Sequence, residues 1–296
     1  MGSEEGNAGV VKRNSMKAIF DGDRPDTERL THLFGLCPPS LFVRFLQSVF
    51  DRHPYDTAKA RDLYWRLTDL YDKPCMLYDS TPLELFAIGG SGGDGHHTGF
   101  AVLAPERNVD DVPWFSYIPA GHELEVLAND TPAFLRQLLS VRLVSRPEFA
   151  PEIRSVADDL AIEVSEEFGR TLGFQGGSRR EKTGETRSMY LPAIPAGWQF
   201  EPVEGHVGVL APASAFEAGP FETQGDLMKD VGRHLKTGHP ASALSLLCSP
   251  RGTFGSGPAF RNWARDLKRA YLDLGRPIFA DRWDEHISSR KAQIKK

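Results

Sequence analysis

Between residues 26 and 71 apolar side chains recur every three or four positions, the period of an amphipathic helix. Asp26 or Thr27 caps a short helix carrying Leu30, Leu33 and Phe34, and Gly35 ends it. Pro38 and Pro39 suit the first turn of a stronger helix over 40–52, with Leu41, Phe42, Phe45, Leu46, Val49 and Phe50 on its apolar side and His53-Pro54 as its stop. A third helix is predicted over about 57–71, where Leu63, Leu67 and Leu70 line one side beside Tyr64 and Tyr71.

The pattern then changes to short apolar runs separated by glycine and polar turns. Strands are predicted over 83–88, 99–104, 114–118 and 123–127, with Gly89 to Gly95 as a turn between the first two. Asn129 offers a cap and Pro132 a first turn to a helix running to Leu139. A further helix over about 148–171 places Phe149, Ile153, Val156, Leu160, Val164 and Phe168 on one side. Helices, a meander of strands and closing helices define an α+β class with an antiparallel sheet flanked by helices. The remainder carries a short β piece at 205–210 and helices over 226–236, 240–248, 259–274 and 277–288, which reads as stacked helical hairpins. The 34-residue period of tetratricopeptide pairs is not met, so no repeat is assigned. The expected division is a flexible arm at 1–25, an α+β domain at 26–175, a linker or loop at 176–190, and a smaller, mainly helical region at 191–296.

Composition narrows the class. Glycine and proline together supply 49 of 296 residues and 40% of the chain is hydrophobic, which excludes pervasive disorder, a collagen-like chain and a disulfide scaffold. A net charge of −5 argues against binding to a nucleic-acid backbone, which needs a basic footprint. No stretch reaches the roughly 18 apolar residues of a spanning helix, and residues 1–14 lack the apolar segment of a secretory signal, so a cytoplasmic location without membrane contact is expected. Cys37, Cys75 and Cys248 have no zinc-type spacing and read as buried free thiols, so neither a metal nor a cofactor is expected.

Charge changes the picture more when it is located. Residues 148–167 carry seven acids and one base, a net −6, while the rest of the chain sums to +1. Two readings stand side by side. One is a solvated helix face. The other is a docking face, with Asp158, Asp159, Glu163, Glu166 and Glu167 steering a basic partner protein.

The candidate chemistry lies in Gly89-Gly-Ser-Gly-Gly-Asp-Gly95. Gly89, Ser91 and Gly93 fit the G-x-S-x-G turn of α/β hydrolases, and Gly90, Gly92 and Gly95 fit the G-x-G-x-x-G turn of dinucleotide sites. Both need a helix directly after the turn, whose N–H groups hold an oxyanion or phosphate. A strand pattern follows here, so Gly89, Gly90, Gly92, Gly93 and Gly95 read as a structural turn or bulge requiring positive φ. The alternative is a serine hydrolase centred on Ser91, with His97, His122 or His206 as base. His96-His97-Thr98 and His286-Ile287-Ser288 match two H-x-[T/S] elements of a two-histidine phosphoesterase, but His286 falls in a polar helix where both elements should lie in strands. The acids around it, Asp281, Asp284 and Glu285, read as an exposed helix face.

Residues 38–139 resemble the SUKH superfamily. Pro38-Pro-Ser-Leu-Phe-Val-Arg-Phe-Leu46 is similar to its opening helix, Leu85 to Gly95 to its central strand and glycine-aspartate loop, and Pro113 to Ile118 to the following strand. Leu127-Ala-Asn-Asp-Thr-Pro-Ala-Phe-Leu135 resembles the closing helix, with Thr131 and Pro132 departing from the usual serine and aromatic. The resemblance covers about a third of the chain. It implies a non-catalytic binding domain, since members include bacterial immunity proteins that neutralise toxins, often nucleases, and fungal regulators of cell-wall synthesis. A third reading is a structural or adaptor subunit that uses the helical hairpins as its contact surface.

Overall fold

The computed structural model describes residues 18–21, 24–72, 81–90, 95–107, 109–119, 123–173, 192–218, 226–249 and 258–294. Helix α1 (Thr27–Phe34) is capped by Asp26, whose carboxylate accepts from the Arg29 N–H, and closed by Gly35 at φ 80°. Helix α2 (Ser40–Asp51) buries Phe42, Phe45, Leu46 and Val49 completely. Helix α3 (Thr57–Thr68) stops short of the expected Tyr71, because Asp69 turns left-handed at φ 63° and the Tyr71 N–H donates to the Gly90 carbonyl. The arm expected over 1–25 is anchored at its far end: Ile19 and Phe20 are fully buried, and the Ile19 N–H donates to the Asp72 carbonyl. Residues 1–17 lie outside the described residues.

Strands β1 (Leu85–Gly90), β2 (His97–Ala101), β3 (Trp114–Ile118) and β4 (Glu123–Ala128) form an antiparallel meander in chain order. Helix α4 (Thr131–Ser145) follows, capped by Asp130, one residue later than expected, and its Phe134 stacks on Trp114 at 3.9 Å between centroids. Alternate side chains bury opposite faces of the sheet. Phe86, Ile88, Phe100 and Trp114 join the helices in the main core. Leu85, Ala101, Phe115 and Tyr117 meet Val207 and Leu210 in a second cluster, flanked by Trp198 and Phe200 of a two-stranded sheet, β5 (Trp198–Glu201) and β6 (Val209–Pro212). Burial on both faces explains the nearly continuous apolar runs in and beside β1 to β3, while β4 is only partly buried.

The single helix expected over 148–171 is two helices, α5 (Ala150–Leu160) and α6 (Glu166–Gly173), after a short 3-10 turn at Pro147–Phe149. Ala161 turns left-handed at φ 56° and the Ile162 N–H returns to the Ala157 carbonyl, which ends α5. Ser165 then caps α6 by accepting from the Phe168 N–H, while its own N–H donates to the Ser140 hydroxyl of α4. The break lets α6 lie against α4 at backbone distance, where a Cβ on Gly169 would sit 2.0 Å from the Ser140 carbonyl oxygen.

Helices α7 (Leu227–Thr237), α8 (Pro240–Cys248), α9 (Pro258–Asp273) and α10 (Pro277–Ile294) each pack on the next. Trp263 and Trp283 meet edge to face at 5.3 Å between α9 and α10. The apolar core runs without a break from α2 and the sheet into α8, α9 and α10, with Phe86 of β1 against Phe279 of α10. The segment 176–190, expected as a linker, lies outside the described residues.

Candidate functional site

Gly89 and Gly90 are the last residues of β1, and Ser91, Gly92, Gly93 and Asp94 lie outside the described residues. The register shifts between Ala87 and Gly89, a bulge at Ile88 just before the glycine run. Gly89 itself is strand and not turn: a Cβ there would stand 2.4 Å from the Tyr71 carbonyl oxygen, so its bareness admits the chain leaving α3. Gly95 takes φ 67°, and β2 begins two residues later, so no helix N-terminus follows the loop. His97 is built into that strand and is 1% exposed. Its Nδ1 lies 2.7 Å from the Gly95 carbonyl oxygen, its Nε2 3.4 Å from the Thr81 hydroxyl, and its ring meets Tyr117 edge-on. Burial lowers its pKa against the pull of the Gly95 contact, which favours the neutral ring. His96 meets the Ser116 hydroxyl, His122 lies outside the described residues, and His286 stands on α10 beside Trp283.

All five predicted docking acids are exposed, but the fold divides them. Asp159 is held by the body of the protein: Ser48 donates to it at 2.7 Å and Arg52 pairs with it at 2.9 Å. The Ser48 hydrogen bond and the Arg52 charge hold its carboxyl below the usual range, against a weaker opposing effect of burial. Arg52 also donates to Ser155, and Arg44 to the Asp159 carbonyl. At 100° per residue Ser155 and Asp159 share one flank of α5, turned to α2, while Arg154 and Asp158 share the other. On that outer flank Glu166 takes Arg170 at 2.7 Å and Arg154 at 3.4 Å, which ties α6 to α5. Glu148, Glu152, Asp158, Glu163 and Glu167 have no ion pair among the described residues.

A second ionic group is buried, and neither period nor motif revealed it. Glu84, immediately before β1, is 2% exposed. Tyr271 of α9 donates to its Oε1 at 2.7 Å, and Nε2 of His206 lies 3.3 Å from its Oε2. Burial pulls the Glu84 pKa upward, but the His206 charge beside it and the hydrogen bond from Tyr271 outweigh it and keep the carboxylate ionised. Burial pulls the His206 pKa down, and neighbouring Cys248 and Glu84 raise it well above the ordinary value. Burial raises the Cys248 thiol, so it stays protonated and Glu84 is the anion that keeps His206 charged. As a residue Cys248 is partly exposed, while its thiol is enclosed by His206, Glu84 and Tyr271. A raised thiol is the opposite of an activated nucleophile. Arg282 of α10 donates to the Leu85 carbonyl and covers the Phe86 ring at 3.8 Å, with burial bringing its pKa down to about 10. Arg276, 1% exposed, joins Glu106 at 2.9 Å and the Leu210 carbonyl at 2.6 Å. This group fastens the sheet to β6, α9 and α10. The one sequence signal for it is a charged Glu84 between Leu83 and Leu85 in a strand-like run. Cys37, expected buried, is exposed in the loop between Gly35 and the prolines that open α2, and Cys75 lies outside the described residues.

One trio among the described residues has the donors and spacing to hold a metal ion: Glu217, His234 and His239 each bring a ligand atom within 4.8 Å of the other two. His234 lies in the last turn of α7, His239 precedes α8, and Glu217 follows the short 3-10 turn after β6.

The chain matches no known family model and no curated protein. Its α+β class is carried by the structure. Among the described residues no helix is long and apolar enough to cross a membrane.

Proposed function

We propose that this protein is a non-catalytic, protein-binding module of the SUKH type that works as an immunity or adaptor protein in the cytoplasm, with the outer flank of α5 and α6 as its contact to a basic partner such as a toxin. The observation that supports this reading is the set of five exposed carboxylates, Glu148, Glu152, Asp158, Glu163 and Glu167, that form no ion pair among the described residues. Carboxylates that serve only solubility gain nothing from being gathered on one unit, whereas a partner of opposite charge is steered by such a concentration. The unit that bears them is packed on the body of the protein: α5 rests on the core through Ile153, Val156 and Leu160, and α6 on α4 through Gly169. The order of an opening helix, strands and a closing helix over 38–139 also agrees with the order of elements in the family resemblance.

The test is affinity capture from the native host with the full chain, the Asp158→Lys/Glu163→Lys/Glu167→Lys variant, and the unmodified protein at high salt. Loss of a basic captured protein in the variant and at high salt is expected. Capture of an unchanged set by the charge-reversed variant would remove the acidic flank from the account.

A further inference from the structure

The corner between α7 and α8 is built like a metal site. Gly238 closes α7 at φ 80°, and the His239 N–H returns to the His234 carbonyl at 2.9 Å, so the chain doubles back and sets the two imidazoles on one corner. Thr237 orients the second ring. Its hydroxyl donates to the Arg233 carbonyl at 3.0 Å and lies 3.0 Å from His239 Nδ1. With its proton committed to the carbonyl, the Thr237 oxygen accepts from Nδ1–H, and the lone pair of His239 is then on Nε2. A hydrogen bond that fixes the tautomer of a ring in this way is the usual support of a ligating histidine. Glu217 is held from behind by its own N–H, which donates to the Ser242 hydroxyl of α8 at 2.9 Å. Its Oε2 lies 3.6 Å from Nδ1 of His234, close to the roughly 3.3 Å between ligand atoms that share a tetrahedral zinc with bonds near 2.0–2.1 Å. The His234 side chain is 2% exposed and that of Glu217 is 37% exposed, so the trio has a buried floor and an open side.

Arg233 belongs to the same group. Its Nη1 pairs with Glu217 Oε1 at 2.5 Å and its Nη2 stands 3.2 Å from His234 Nε2. A guanidinium there supplies the positive charge that the carboxylate needs without an ion. The same guanidinium competes with an entering cation.

We infer that Glu217, His234 and His239 form a binding site for a borderline divalent ion of the zinc class, with Arg233 as the resident cation that the ion displaces. Two imidazoles and one carboxylate are a donor set suited to zinc, and three protein ligands leave one position to water. The ion fastens the segment carrying Glu217 to the α7–α8 corner. It is independent of the acidic flank, so either reading stands without the other.

The experiment uses the full chain, freed of metal with a chelator, titrated with Zn2+ in a calorimeter and with Co2+ by visible absorption. One equivalent of Zn2+ per chain and the d–d bands of a four-coordinate Co2+ centre are expected. Glu217→Gln and His239→Ala, both at partly exposed positions that the fold tolerates, each weaken Zn2+ binding by about tenfold or more. Arg233→Met tightens it, a change that a merely structural role for the trio would not produce. Absence of saturable Zn2+ binding, binding that either ligand substitution leaves unchanged, or an Arg233→Met variant that binds no tighter overturns the assignment.

Discussion

Glu84 and Asp158 are carboxylates of one chain, and the fold treats them in opposite ways. Glu84 is enclosed, with a tyrosine hydroxyl on one oxygen and a protonated histidine near the other, and with helices from the far end of the chain around it. Asp158 stands in water on a helix whose inner flank is taken up by Arg52 and whose outer-flank cation, Arg154, pairs with Glu166 instead. The comparison separates two uses of charge. Inside, a charge must be matched within the molecule because water cannot reach it. Outside, an unmatched charge costs little and is available to something else.

The largest effect is expected at the buried end. Glu84→Gln removes the anion from His206 and keeps an acceptor for Tyr271, and a loss of about 3 kcal/mol in the free energy of urea unfolding is expected. A loss no larger than that of a surface substitution would mean that the burial of Glu84 is incidental. The pH profile sharpens this. Glu84 has a lowered folded pKa, so its stabilisation is complete above the unfolded value of 4.5 and is lost as pH falls through the folded one. His206 has a raised folded pKa, so its stabilisation is complete below the unfolded value of 6.5 and is lost as pH rises through the folded one. Stability from this pair is therefore greatest between those two values, and urea midpoints measured across pH should decline on the alkaline side. In Glu84→Gln that alkaline decline should disappear.

Asp159 is the intermediate case, exposed yet held. Asp159→Asn weakens the latch to Arg52 and Ser48, and a loss of about 0.5–1 kcal/mol is expected from thermal unfolding, with partner capture retained. At the far end, reversing Asp158, Glu163 and Glu167 should leave the unfolding midpoint where it was while slowing association with a basic partner about tenfold or more at low salt. Stopped-flow association rates at two ionic strengths check the second part. A reversal that destabilises the fold would place these acids with Glu84 and not opposite it.

The same contrast explains what the sequence disclosed. Helices α1 to α4 and strands β1 to β4 were legible because caps, prolines and apolar periods are local signals, and Pro240 to Cys248 was placed to the residue. The break between α5 and α6 was not, because Leu160, Val164 and Phe168 keep the helical spacing straight through it. What ends α5 is the left-handed turn at Ala161, and what seats α6 is the contact of Ser165 and Gly169 with Ser140, more than twenty residues away. Strand β5 is four residues long and was missed for want of length, since it exists only as the partner of β6. The acidic flank was visible as a run of letters, but which acids are spent on Arg52, Arg154 and Arg170 depends on where α2 and α6 lie. Glu84 and His206 are 122 positions apart in the chain, and nothing local marks a histidine in a polar turn as the partner of a buried carboxylate.

The central claim is that the outer flank of α5 and α6 is the part of this surface reserved for a partner. The most direct measurement is parallel capture from the native host by two variants of equal fold, Asp158→Lys/Glu163→Lys/Glu167→Lys and Asp159→Asn. The account predicts that the first loses a basic protein that the second retains. Equal capture by both, or loss in Asp159→Asn alone, would contradict it.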